Sequence, residues 1–390
     1  MPPARPRIVP EPTNDRGRRT AMTRTTFLAS LAGALAGSAL GLAAAAAAPA
    51  DEIYVPLGGA GKVLVVDAAS DRAVGTIEGL PAAHGLAATP DGRFLVVGSF
   101  SEREPGSAPP KPQGMSQEEH AAHHGMAGMD MKKKGEGAGG MAMEAAKPVS
   151  TVSVVDLEKR EVVRRIDVPG AVHHVAVSPD GRFAVVTQPN ADTVTAIDLS
   201  DFSVAATVPV GALPNYAMFA PDGGRVYVSS AGSDRVVEIS VGDWKIARAI
   251  ETGAGPEHLV IDAKGERLYV VNNGDGTVGE IDLAAGKQLR AIPVGDVLHG
   301  IDLGDDGRRL FVAIMGENKL IAYDLVTGTF RSTELASGPF HVMAVRGRGK
   351  LYVSSAEEPR IWVIDQKTLE LRGEIPIEGK GHQMAQQLGS

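Results

Sequence analysis

Short apolar runs rich in Val and Ile alternate with polar positions along most of the chain and are cut at regular intervals by similar turns. The first stretch, from residue 53, reads IYVPLGGAGKVLVVDAASDRAVGTIEGLPAAHGLAATPDGRF. A second resumes at LVVGSF and continues as TVSVVDLEKREVVRRIDVPGAVHHVAVSPDGRF. Later passes begin at AVVTQP, VYVSSAGSDRVVEI, LYVVNNGDGTVGEID, LFVAIMGENKLIAYD and LYVSSAEEPRIWVID, which makes seven. Period-two alternation predicts strands, and the PDG, DDG, AKG and GRG tripeptides with the Asp-plus-small-residue corners predict the turns between them. Four strands per unit of about forty residues predict an all-β fold, a seven-bladed β-propeller of four-stranded blades.

The phase of the repeat predicts how the ring closes. The chain after the leader opens on the second strand of a blade, at Ile53 to Val55, and ends with EGKGHQMAQQ, which matches the first strand of a unit. The C-terminal strand is therefore expected to join the N-terminal blade and leave no sheet edge exposed.

The same register organises the histidines. His84, His173, His299, His341 and His382 each stand six residues before a turn tripeptide, or before where it would begin. Closure makes their order around the axis His299, His341, His382, His84, His173, followed by Asn215 and Glu257 in the two remaining units. Five imidazoles at the mouth of a central channel are candidate metal ligands. Asn215 and Glu257 are additional channel residues whose role is open between an acid/base pair, a polar ligand and a solvated gap. His174 and His258 lie one step past the register, and because successive strand residues face opposite sides they are expected to pack in the blades or lie at the surface.

LYVSS with WVID at 351 to 365, VYVSS at 226 to 230 and GALPNYAMFAPDG at 211 to 223 resemble the YVTN family of seven-bladed propellers from about Ile53 to the end. The resemblance implies the fold and says little about function, because propellers host binding, scaffold and enzymatic roles. The recurring histidine is a departure from the family pattern. A His-lined propeller channel is similar to the catalytic domain of nitrous oxide reductase and to thiocyanate dehydrogenase, which implies copper. The Cys-containing electron-entry domain of nitrous oxide reductase has no counterpart here, and that reaction is not expected.

Composition narrows the choice. The net charge of -8 argues against a nucleic-acid surface, and aromatics at 4% argue against a base-stacking platform. With no cysteine, a copper or zinc site must use His, Met or carboxylate. No nucleophile with its base, phosphate-binding Gly loop or c-type haem motif is evident.

Residues 1–50 read as a leader, with Met22 the expected start, Arg24, an uncharged run from Phe27 to Ala48, and Ala48-Pro49-Ala50 as a cleavage site after Ala50. TRTTFLAS resembles a twin-arginine signal lacking its second Arg, and a retained anchor helix is the alternative. The mature chain, 51–390, is expected to be one propeller, periplasmic or secreted, meeting a membrane only through its export signal.

The propeller is interrupted at 100–148 by a low-complexity insertion too polar to build a core. It gathers His120, His123, His124, Met126, Met129 and Met131 within twelve residues, and six of the twelve methionines of the chain. Thioether selects Cu(I) and imidazole also accepts Cu(II) or zinc, so the mixture points to copper, with zinc second. Three functions follow: an exported copper-binding protein whose loop captures or delivers the ion, a copper-dependent periplasmic oxidoreductase, or an interaction scaffold without metal. A periplasmic electron-transfer or copper-delivery protein is the expected partner of the first two.

Overall fold

Each repeat becomes one antiparallel four-stranded sheet in the computed structural model, which describes residues 51–108 and 147–387. The leader with its cleavage site, residues 109–146 with His120, His123, His124, Met126, Met129 and Met131, and residues 388–390 lie outside the described residues. The described residues form seven such sheets, the blades of a propeller. The innermost strands are Ala83–Ala88, Val175–Val177, Pro214–Phe219, Pro256–Ile261, Leu298–Leu303 and Pro339–Val345 in blades 2 to 7. In blade 1 that place is taken by Ala385–Gln386.

Closure follows the phase of the repeat. Ala385–Gln386 pairs with Glu52–Leu57 in the register Ile53↔Gln386 and Tyr54↔Ala385. The Tyr54 hydroxyl donates to Gln387 Oε1 at 2.7 Å, and Gln387 N donates to the Glu52 carbonyl at 2.8 Å. Both ends of the described residues thus share one sheet.

Alternation along each strand builds the core between blades. Ile53 and Val55 of blade 1 pack with Tyr352, Val363 and Ile375 of blade 7. Tyr54, Val63 and Val65 project from the other face onto Leu86, Leu95 and Val97 of blade 2. No blade has a core of its own, so each depends on both neighbours.

The turns use the predicted chemistry. Asp67, Asp156, Asp198, Asp282, Asp324 and Asp365 accept backbone N–H bonds from residues two or three positions on, closing the corner after the third strand. In the PDG-type turns a residue in the left-handed region donates back three positions, as Gly92 N does to the Thr89 carbonyl at 2.9 Å. The bond in blade 7 runs from Arg348 N to the Val345 carbonyl at 3.1 Å, so Arg348 is the counterpart of Gly92 and the GRG tripeptide sits one residue out of step.

Removing residues 381–390 deletes the closing strand together with buried His382, Gln383 and Met384. The melting temperature is expected to fall by roughly 10 °C or more in calorimetry. An unchanged melt would contradict closure by this segment.

Candidate metal centre in the bore

The site begins with a backbone irregularity. In blade 5, Pro256 pairs with Asn272 but Leu259 pairs with Val270, three steps on one strand against two on the other. Blades 2, 4, 6 and 7 repeat this shift at Ala83/Leu86, Pro214/Ala217, Leu298/Ile301 and Pro339/Val342. Each is a β-bulge, and a bulge suspends strict alternation. The bulged pairs are His84 and Gly85, Asn215 and Tyr216, Glu257 and His258, His299 and Gly300, and Phe340 and His341. In blade 3, His173 and His174 take these positions, with His173 N donating to the Thr187 carbonyl and Thr187 N to the His174 carbonyl. His382 and Gln383 hold them in blade 1, just before the closing strand.

Two tiers of side chains result. The first carries His382, His84 and His173 from three consecutive blades, with ring centroids 3.5 Å (His84 to His382), 5.1 Å (His84 to His173) and 5.5 Å (His173 to His382) apart. The second carries His174, His258 and His341 from blades 3, 5 and 7, with centroids 4.6 to 5.6 Å apart. Within each triad one ligand atom per residue lies within 4.8 Å of the others. The tiers touch, since the His173 and His174 rings are 4.1 Å apart and those of His341 and His382 4.2 Å.

This arrangement corrects two expectations. His174 and His258 are neither blade packing nor surface residues, because the bulge turns both into the cluster. His341 belongs with them in the second tier, for its blade carries the displaced turn. The arc of five is accordingly divided, and His299 belongs to neither triad. Its ring stacks on Phe340 at 3.8 Å and 5°, and its Nδ1 lies 3.3 Å from Glu257 Oε2. All six triad histidines are buried, with His173 and His174 at 0% exposure.

Glycines make the crowding possible. A Cβ on Gly85 would lie 2.4 Å from the His173 carbonyl oxygen, and one on Gly300 would lie 2.4 Å from Val342 N. Tyr216 and Gln383 fill the remaining second-tier places. Gln383 ties blade 1 to blades 2 and 3, accepting from Leu86 N and Val175 N and donating to the Val175 carbonyl. Sequence reasoning singled out neither residue, although both stand one step past the histidine register.

Burial and neighbouring imidazoles hold His174, His258, His341 and His382 well below the ordinary histidine pKa, so these rings are neutral at pH 7. His174 Nδ1 donates to the Asn215 carbonyl at 2.8 Å, which leaves its Nε2 as the lone-pair atom. The same carbonyl accepts from Thr187 Oγ1 at 2.9 Å. Nε2 of His174, His258 and His341 has no hydrogen-bond partner among the described residues. Leaving such an atom unsatisfied costs about 1–3 kcal/mol, a cost that a cation bound by these imidazoles would offset. Burial pushes Glu257 up to about 8, against a hydrogen bond from Asn273 Nδ2 at 3.1 Å that favours the carboxylate.

The insertion leaves from beside this centre. Ser99 pairs with Ala83, and the ring of the next residue, Phe100, lies 4.6 Å from His84. Its two flanks meet in the bridge between Arg103 and Val149.

Over residues 142–385 the chain matches the sequence family described as a YNCE-like beta-propeller. No curated protein matches it. Among solved structures it is similar to Kuenenia stuttgartiensis hydrazine synthase, at 19% identity and a TM-score of 0.58 over 77% of this chain and 88% of that one. It is similar to the dihydro-heme d1 dehydrogenase NirN, solved in complex with DHE, at 15% identity and a TM-score of 0.58 over 85% of this chain and 64% of that one. A functionally unknown protein from Desulfotomaculum acetoxidans DSM 771 aligns at 13% identity and a TM-score of 0.63, covering 87% of this chain and 100% of that one. At these identities the likeness is one of fold.

The shifted groups predict the pH dependence of the metal-free protein. Histidines take up protons near 6.5 when unfolded, whereas His174, His258, His341 and His382 resist protonation when folded. Stability is therefore lost as pH falls below 6.5, by up to about 1.4 kcal/mol per pH unit for each of these groups. Glu257 acts oppositely, because its folded pKa of about 8 lies above the ordinary 4.5 and costs stability as pH rises between them. Calorimetry in chelator should show a maximum near 6.5, a steep acid limb and a shallow decline toward 8. A melting temperature that is flat from pH 6.5 to 5 would contradict the neutral cluster.

Proposed function

The chain belongs to the YNCE-like beta-propeller family, and from that premise we propose that it is an exported copper-binding propeller whose buried histidine triads hold the metal. The observation that carries this reading is the second triad, three buried neutral imidazoles from three blades that bring one ring nitrogen each within 4.8 Å of the others, and whose Nε2 atoms have no hydrogen-bond partners among the described residues. A scaffold gains nothing from burying such a group. The reading of copper rests on the donor chemistry: no cysteine in the chain, imidazole in the bore, and thioether with imidazole in the insertion. Zinc accepts the same imidazoles but has less use for a Met-rich segment.

The insertion acts as the capturing or delivering element, with His120, His123, His124, Met126, Met129 and Met131 as its ligands. Support comes from its root at Phe100, against His84. Periplasmic or secreted localisation rests on the leader, and a copper-delivery or electron-transfer protein is the natural partner. A second reading, a copper-dependent oxidoreductase, draws on a cavity of about 180 Å³ that reaches His258 and His341 from the side away from the first tier.

Protein isolated from its native compartment should contain copper at about one ion per occupied triad. His258→Ala should lower the copper content measured by plasma mass spectrometry and abolish tight binding at the second triad, while circular dichroism stays that of the parent. Deleting residues 105–146 should slow loading and spare the copper of the bore. Equal stoichiometry and affinity in His258→Ala and the parent would overturn the assignment of the second triad.

A further inference from the structure

The side of the second triad away from the first tier opens into the 180 Å³ cavity, whose lining includes His258, His341, Tyr216, Gln383, Asp302 and Arg346. Resting on the copper reading above, we propose that this cavity binds a small inorganic anion, which completes the coordination of the metal held by His174, His258 and His341. The substrate or effector of the centre accordingly belongs to that chemical class.

Charge is the first argument. All three ligands of this triad are imidazoles, buried and neutral, so a cupric ion there would keep its whole double charge in a dry interior. An uncompensated buried charge of that size costs several kcal/mol even after relaxation. The nearby carboxylates are already engaged. Glu257 meets Asn273 Nδ2 and His299 Nδ1, on the first tier. Asp302 accepts from Arg346 Nη2 at 2.6 Å, from Ala344 N at 2.8 Å and from Leu303 N at 2.8 Å. An anion entering from the cavity supplies negative charge at this triad that no carboxylate among the described residues is shown to bring to it.

Geometry is the second. Three histidines leave a tetrahedral ion one open position. The first tier packs against the triad from one side, with His173 and His382 in contact with His174, so the open side faces the cavity. A cavity of about 180 Å³ admits a small anion together with some solvent. The outer end is marked by Arg346, whose side chain is 39% exposed and which follows the innermost strand of blade 7. Its guanidinium is paired with Asp302, so that end of the cavity is polar without a net charge of either sign.

The walls suit a polarisable anion. Met218 and Met343 line the cavity beside Val342 and Ile301, offering soft, weakly hydrating surface. Tyr216 is the hydrogen-bond donor, with its ring 4.7 Å from both His174 and His258 and its hydroxyl 3.5 Å from Gln383 Nε2. Metal is then taken up on the face where the insertion is rooted and the anion on the opposite face, so the two never compete for one path.

The test uses the full-length chain loaded with Cu(II) and titrated with azide, read by electron paramagnetic resonance and the ligand-to-metal charge-transfer band. The parent should saturate with a changed spectrum. Met343→Phe, which fills the cavity, should weaken azide binding by about tenfold. Tyr216→Phe, which removes one donor, should weaken it by about fivefold. Copper content and melting temperature should stay those of the parent in both. A parent that binds no copper would overturn the metal reading and this proposal with it. Copper bound in the second triad with an azide-silent spectrum, or equal azide affinity in both variants and the parent, would overturn the anion site alone.

Discussion

The centre depends on a one-residue bulge repeated at the start of the innermost strands. A regular strand sends consecutive side chains to opposite faces, so a blade could offer the bore only one residue at this level. The extra residue breaks that rule where the chain enters the blade, and two neighbours, His173 and His174 most plainly, project together. Repetition around a closed ring then stacks two tiers of side chains on one axis. Closure matters as much, since His382 reaches His84 only because Ala385–Gln386 pairs back onto the first blade.

Occupancy of the tiers follows from what each bulge carries. The first holds imidazoles from three consecutive blades, then Asn215, Glu257, His299 and Phe340. The second alternates imidazole with glycine or a polar filler, which is why blades 3, 5 and 7 can bring their rings together. Gly85 and Gly300 leave no room for any other residue. Burying this many imidazoles in neutral form, with hydrogen-bond capacity unused in the second triad, is expensive for a fold that stabilises itself only through contacts between blades. In the reading proposed above, a bound cation with an exogenous anion would offset that cost, joining the two halves of the proposal in one electrostatic balance.

Much of this was legible in the sequence. Seven passes of alternating apolar runs, the recurrent Asp corners and the shared phase of the two termini predict the blades and their closure, and each signal is local. His84, His173 and His382 fall together because they hold one register position in three blades that closure makes consecutive. What alternation cannot reveal is where alternation stops, and so His174 and His258 read as packing residues. His341 was displaced for a different reason: glycines at both 347 and 349 disguise the turn, and its phase is fixed by the Arg348 to Val345 hydrogen bond and by the pairing of Pro339 with Ser355. Tyr216, Gln383 and Met343 carry no motif, and become visible once the bore has been assembled.

Anomalous diffraction at the copper edge from crystals of the copper-loaded protein tests the central claim most directly. The account predicts one peak bounded by His84, His173 and His382 and a second bounded by His174, His258 and His341, the latter within bonding distance of three Nε2 atoms. Copper density confined to the insertion, or a bore without anomalous signal, would contradict it.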